Sequence, residues 1–144
     1  MERIIYLVSC VDKKLEHAAP ASELYISTWF LKARAYVRTA GGPWYILSAK
    51  HHLLDPDRII EPYNERLKKK PIVARKQWAI NVFDSFMKVV EPTDGVVLLA
   101  FNEYREFLVP LLRGAGIKLD VPMQGLGIGQ QLHWLGEDHR PALS

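Results

Sequence analysis

Ser48, Lys50, His51 and His52 stand directly behind the apolar run Trp44-Tyr45-Ile46-Leu47, with no glycine or proline between. A short run of aromatic and β-branched residues predicts a buried strand, so a hydroxyl, an ammonium and two imidazoles are delivered at a sheet edge. A lysine directly after a buried strand is expected to be partly desolvated, and its charge then acts through a lower effective dielectric. Pro56 and Pro62 disfavour helix at the residues before them, so 53–63 is expected to be an ordered, non-helical loop displaying Asp55, Glu61 and Tyr63. A carboxylate at Asp55 or Glu61 can activate water or stabilise a cationic sugar transition state, as cleavage of a glycosidic bond requires. The alternative for Asp55 is an Asx-type turn with Pro56.

Three further polar groups follow apolar runs. Ser9-Cys10-Val11-Asp12-Lys13-Lys14 comes after residues 3–8, and Asn102-Glu103-Tyr104-Arg105 after 96–101. Met123 to Gly129 follows the shorter run 117–121. Cys10 is a nucleophile only if a neighbouring cation or a helix N-terminus lowers its pKa; otherwise it is a small thiol ending a strand. Lys13 and Lys14 suit phosphate contacts or surface charges. Asn102 can read a base edge through its paired donor and acceptor. Tyr63 and Tyr104 can stack on a base, or cap the core with their hydroxyls wet. His51 and His52 are adjacent, so their side chains diverge, and no third ligand stands at a usual spacing; neither a metal nor a cofactor is expected. Gly125-Leu126-Gly127-Ile128-Gly129 lacks the full dinucleotide spacing and the later acidic residue. Gly125 and Gly127 fit better as a backbone-amide cradle before a short helix, or as a tight turn against the sheet edge.

The elements that must position these groups alternate. Residues 3–9 predict a first strand, and Ser22 is the expected N-cap of a helix with Tyr25 at its third position and Ile26, Phe30, Ala33 and Val37 on one face. Gly41-Gly42-Pro43 ends it, and 44–48 is the second strand. Pro71 opens the next helix, with Val73, Ile80, Phe83, Met87 and Val90 as its expected buried stripe. A third strand spans 96–101, a helix carries Tyr104, Phe107, Leu108, Leu111 and Leu112, a fourth strand spans 117–121, and a last helix spans 128–135. This order predicts a single three-layer α/β domain over 1–136, a mainly parallel four-stranded sheet with helices on both faces, and a tail from 137 to 144. Ligands of such sheets bind beyond the carboxyl ends of the strands, where all four polar groups are expected to meet.

The composition is that of an ordinary globular protein: 49% hydrophobic and 24% charged over 144 residues. One cysteine excludes an internal disulfide and suits a reducing compartment. Nothing reaches transmembrane length, and the short N-terminal apolar run is followed at once by charges, so a cytoplasmic location without membrane contact is expected. The net charge of +3 is unevenly spread: 58–76 holds seven Lys or Arg against Glu61 and Glu65. Lys68, Lys69, Lys70 and Arg75 in that stretch, with Lys13, Lys14, Lys32, Arg34 and Arg38 elsewhere, suit a phosphate-bearing partner such as nucleic acid.

The stretch from Leu47 to Pro56, continuing through Ile60-Glu61-Pro62-Tyr63, resembles the central motif of the YaaA-like proteins. It is closer still to a small uncharacterised family of bacterial, archaeal and phage domains that resembles them. Val8-Ser9-Cys10, Lys13-Lys14-Leu15, Asn102-Glu103-Tyr104 and the 122–135 segment extend the resemblance over nearly the whole chain. Two positions depart from it: His52 stands where glycine is expected, and Asn102 where glycine or another small residue is. Cys10 with Lys14, and Tyr25 with Ser27, are spaced similarly to the catalytic domain of archaeosine synthase, which acts on a deazapurine base in transfer RNA. That domain has been likened to uracil-DNA glycosylases. The resemblance implies a uracil-DNA glycosylase-like fold and chemistry on a nucleobase, most concretely a DNA glycosylase-like hydrolase of a modified or damaged base. Lys50 and His51 would neutralise phosphate or the departing base, and Ser9, Cys10, Tyr25, Ser48, Asn102 and Tyr104 would line its pocket. The alternatives are a non-catalytic nucleic-acid-binding stress protein and a nucleotide-binding sensor.

Overall fold

The structure, a computed structural model, describes residues 3–137. Five strands form one sheet. β1 (Ile4–Ser9), β3 (Trp44–Ser48), β6 (Gly95–Leu99) and β7 (Lys118–Asp120) are parallel, and β4 (His52–Leu54) closes one edge antiparallel to β3, giving the order β4-β3-β1-β6-β7. The sheet thus has one strand more than the four expected. Its extra strand is a hairpin return through Ala49-Lys50-His51 that carries no glycine or proline signal in the sequence. A minor two-stranded pair, β2 (Ala19–Pro20) with β5 (Ile59–Ile60), lies in the flanking loops.

Between β1 and β3 runs α2 (Thr28–Ala40), and between the β3–β4 hairpin and β6 runs α3 (Ile72–Phe86). The first crossover leaves β1 in one direction along the sheet and the second returns past β1 to its other side. Crossovers of one hand that run in opposite directions put their helices on opposite faces. α6 (Ile128–Leu135) packs on α2, whereas α5 (Leu108–Gly114) packs on α3. The order of strands reverses at β1, so the crevice beyond the carboxyl ends of β3, β1 and β6 is the topological switch point.

Three expectations change in detail. Ser22 does not cap the first long helix: α1 (Ala21–Leu24) is a single turn, the chain is extended at Tyr25, and α2 begins at Ser27, whose Oγ accepts the Phe30 N–H at 3.1 Å. Backbone pairing of Lys14 with Tyr25 breaks the helix there, with Leu15 N–H donating to Leu24 O and Ile26 N–H to Lys13 O. The helix expected after β6 is two, α4 (Asn102–Arg105) and α5. On α3, Trp78, Ala79, Val82 and Phe86 are buried; of the expected stripe, Phe83 and, after the helix, Val90 are half-buried against the core, while Val73, Ile80 and Met87 face solvent. Both stripes have helical spacing, so periodicity alone does not choose between them; the stripe with Trp78 and Phe86 buries more aromatic surface and wins.

At the opposite, amino end of the sheet, the buried carboxylate of Asp94 accepts from Arg3 at 2.7 and 3.1 Å and from the Glu91 N–H at 2.8 Å, tying the start of β1 to that of β6. The Arg3 guanidinium holds Asp94 below the usual carboxylate range. The last described residue, Glu137, is hydrogen-bonded to Trp134 O; the rest of the expected tail lies outside the described residues.

Candidate functional site

β1 is buried throughout its second half and ends at Ser9, with Cys10 directly after it; both are buried. Ser9 Oγ accepts the Phe101 N–H at 3.3 Å, joining the ends of β1 and β6, and the Cys10 N–H donates to Leu47 O at 2.9 Å, joining β1 to β3. Ser48, last residue of β3, is fully buried. Its Oγ accepts the N–H groups of Lys50 (3.3 Å) and His51 (3.0 Å), which shapes the tight turn, and it lies 2.8 Å from the Tyr63 hydroxyl. The Tyr63 hydroxyl is 2.6 Å from that of Tyr25. On the other side, Cys10 Sγ is 3.1 Å from the Tyr104 hydroxyl.

The cation of the cluster is Lys14. Its ammonium sits 4.3 Å from the centre of the Tyr63 ring and 5.7 Å from that of Tyr25, a cation–π placement, and it donates to Asp12 O at 3.2 Å. The pairing of Lys14 with Tyr25 puts it there. Burial lowers the Lys14 pKa and raises those of Cys10, Tyr25, Tyr63 and Tyr104. Thiol and phenols therefore stay protonated near neutral pH, and Cys10 is not an activated nucleophile in this state. His51 stands edge-on to Tyr63 with ring centres 5.5 Å apart; burial, then the charges of Arg58 and Lys50, lower its pKa, so it is a neutral imidazole at pH 7.

The structure thus brings together Ser9, Cys10, Lys14, Tyr25, Ser48, His51, Tyr63 and Tyr104. Lys50 differs from expectation: it is exposed in the turn, its ammonium 6.0 Å from the Tyr63 ring, because the hairpin carries it away from the strand that precedes it. The desolvated lysine is Lys14. Lys13 and Asn102 are exposed at the same edge. Asp55 and Glu61 are exposed, and Asp55 Oδ1 accepts the Asp57 N–H at 2.8 Å, the Asx turn. The Gly127 N–H is taken by Gln130 Oε1 at 2.9 Å, which removes one amide from the expected cradle; Gly125, at φ 85°, turns the loop. Among the basic residues, Arg75 is ion-paired with Glu106 (2.6 Å), Lys70 with Glu65 (3.1 Å), and Arg34 and Arg38 with Glu23 (3.0 and 3.3 Å), whereas Lys68 and Lys69 are exposed. Among the described residues no three His, Cys, Asp or Glu side chains gather as a metal site would require.

Two residues that build the site carry no signal in the sequence. Trp78 of α3 donates from Nε1 to Ser48 O at 2.8 Å and stands edge-on to Tyr104 at 5.3 Å. Trp29 of α2 stacks on Phe101 at 4.5 Å and donates to Gln131 Oε1 at 2.9 Å; Gln131 in turn donates to Leu126 O, fixing the glycine loop to the sheet edge. Both tryptophans come from helices on either side of the switch point. Separately, an open cavity of about 390 Å³ lies along α6, lined by Leu126, Gly129, Gln130, His133, Trp134 and Glu137, and shares no residue with the tyrosine cluster.

His52 has φ 64°, in the left-handed region that glycine adopts without strain, and it occupies the position where the resemblance implies glycine. A non-glycine residue there costs about 1 kcal/mol. His52→Gly is expected to raise the urea midpoint by the equivalent of roughly 0.5–1 kcal/mol, the gain being trimmed by the greater freedom of unfolded glycine. A lowered midpoint would mean that the imidazole makes compensating contacts.

A family model described as "Family of unknown function (DUF6884)" matches residues 5–137, and the chain belongs to that family. No curated protein and no solved structure matches it.

Proposed function

We propose that this member of a family of unknown function is a nucleic-acid base-processing enzyme, most concretely a DNA glycosylase-like hydrolase acting on a modified or damaged base. One observation carries the reading: three tyrosines, Ser48, Cys10 and the desolvated Lys14 converge at the switch point, where open α/β sheets bind ligands. Tyr25, Tyr104, Ser48 and Cys10 are buried and paired within the cluster, so the ring offered to a ligand is that of the partly exposed Tyr63. An aromatic face beside a lysine suits a planar heteroaromatic ligand better than a sugar or an acid. Exposed Lys13, Lys68 and Lys69 supply cations for the phosphates on either side of an extruded base. Within this reading Lys14 takes the role first considered for Lys50, neutralising the departing base. Glu61, two residues before Tyr63, is the carboxylate left for water activation, since one oxygen of Asp55 is committed to its turn.

The competing reading is a non-catalytic nucleic-acid binder, favoured by the lack of any hydrogen bond between a carboxylate and the tyrosine cluster among the described residues. One screen separates the two. The protein is incubated with single- and double-stranded DNA carrying assorted modified bases, and released base and alkali-labile strand breaks are measured. Base release supports the enzyme. Salt-sensitive retention of every DNA with no release rejects it in favour of the binder. No retention at all rejects both.

A further inference from the structure

We infer that the solvent face of α3 is a self-association surface and that its occupant is α3 of a second copy, packed antiparallel about a two-fold axis at Ile80. Five of the eight large apolar side chains exposed among the described residues lie on this helix or in the turn just after it: Ile72, Val73, Ile80, Met87 and Val89. Val73, Ile80 and Met87 are 75%, 41% and 41% exposed, and they recur every seven residues, the spacing that keeps one seam facing a partner helix.

The charges on this face choose the partner and its direction. Lys76 and Asp84, both exposed, stand four residues before and four after Ile80; the Lys76 ammonium lies 5.5 Å from the centre of the Phe107 ring of its own chain, a solvent-side contact that it gives up to reach a partner. With two such helices antiparallel about Ile80, Lys76 of each faces Asp84 of the other, and Val73 faces Met87. A parallel pairing would set lysine against lysine and aspartate against aspartate. The surface is therefore self-complementary in the isologous sense, satisfied by one orientation of a second identical helix. The inner face of α3 is spoken for, since Trp78 reaches the site and Phe86 the core. A single 15-residue helix falls short of the roughly 1,200 Å² of a standard interface, so the dimer is a weak one that populates with concentration.

The test is sedimentation of the whole chain from low micromolar to millimolar concentration. The wild type is expected to shift reversibly from monomer to dimer. Ile80→Glu places two like charges on the axis and is expected to stay monomeric at every concentration, with a melting temperature close to that of the wild type at low micromolar concentration, where both are monomers. Asp84→Lys and Lys76→Asp should each weaken dimerisation at least about tenfold, and the double charge exchange should restore it. A wild type that remains monomeric throughout overturns the inference. So does an Ile80→Glu variant that still dimerises, or a double exchange no better than the single changes. None of these results depends on whether the protein processes bases.

Discussion

Trp78→Ala is expected to remove about 3–5 kcal/mol of stability, measured as a fall in the urea midpoint. Trp78 is 4% exposed, its ring packs edge-on against Tyr104, and its indole N–H is donated to Ser48 O. Truncation loses that apolar burial and leaves the Ser48 carbonyl, in a buried strand end, without the donor it had. Trp78→Phe keeps most of the ring and isolates the hydrogen bond, so about 1 kcal/mol of the loss should remain. A Trp78→Ala midpoint within experimental error of wild type would mean that α3 is not what secures the end of β3. The loss should also appear as broadened tyrosine signals in NMR spectra, because Tyr104 and Ser48 share that support.

Lys14→Met is expected to separate stability from function. Its ammonium is half-buried, so part of the hydration free energy is lost on folding, and an apolar chain of similar length avoids that loss. The sign follows from the direction of the shift. A lysine whose folded pKa lies below its unfolded one destabilises the fold while charged, and that destabilisation fades as pH rises from the folded pKa toward the unfolded value near 10.4. Lys14→Met should therefore raise the melting temperature near neutral pH, by an amount that shrinks toward pH 10. Base release, if the proposed function holds, should fall at least about tenfold, the equivalent of roughly 1.4 kcal/mol. A variant that melts lower at neutral pH would assign Lys14 to holding Tyr63 and Tyr25 in place through its cation–π contacts. The same substitution at Lys69, which is exposed, should change affinity for nucleic acid only modestly and mainly at low salt.

The parallel sheet and the convergence at its carboxyl edge were legible because each strand is a short apolar run that stops at polar residues. The runs ending at Ser9 and Ser48 end there in the structure. What the sequence hid was long-range. The return strand β4 depends on His52 accepting a left-handed backbone, an allowance that histidine advertises weakly. The break at Tyr25 depends on a bridge to Lys14, eleven residues earlier. The burial of Lys14 rather than Lys50 follows from those two features together, since one folds a lysine in and the other turns a lysine out. Two apolar stripes share α3, and of the expected one only Phe83 and Val90 reach the core, while Val73, Ile80 and Met87 stay outside. Only its packing against α5 and β4 decides which one is covered.

The turn at Ser48 has a consequence for how protons are arranged. A serine hydroxyl has one hydrogen and two lone pairs, and here Lys50 and His51 N–H groups occupy both lone pairs. Ser48 must then give its hydrogen to Tyr63, and Tyr63 retains its own to give, with the Tyr25 oxygen 2.6 Å away. The row has a head and a tail. Running it backwards would need Ser48 to accept a third hydrogen, which means unmaking a backbone contact that shapes the hairpin. A conduit that ferries protons must reset after each passage, and this one resets only by loosening the strand end it belongs to. The row is thus a ratchet locked in one position: it holds rings at fixed angles and does not serve as a path for protons.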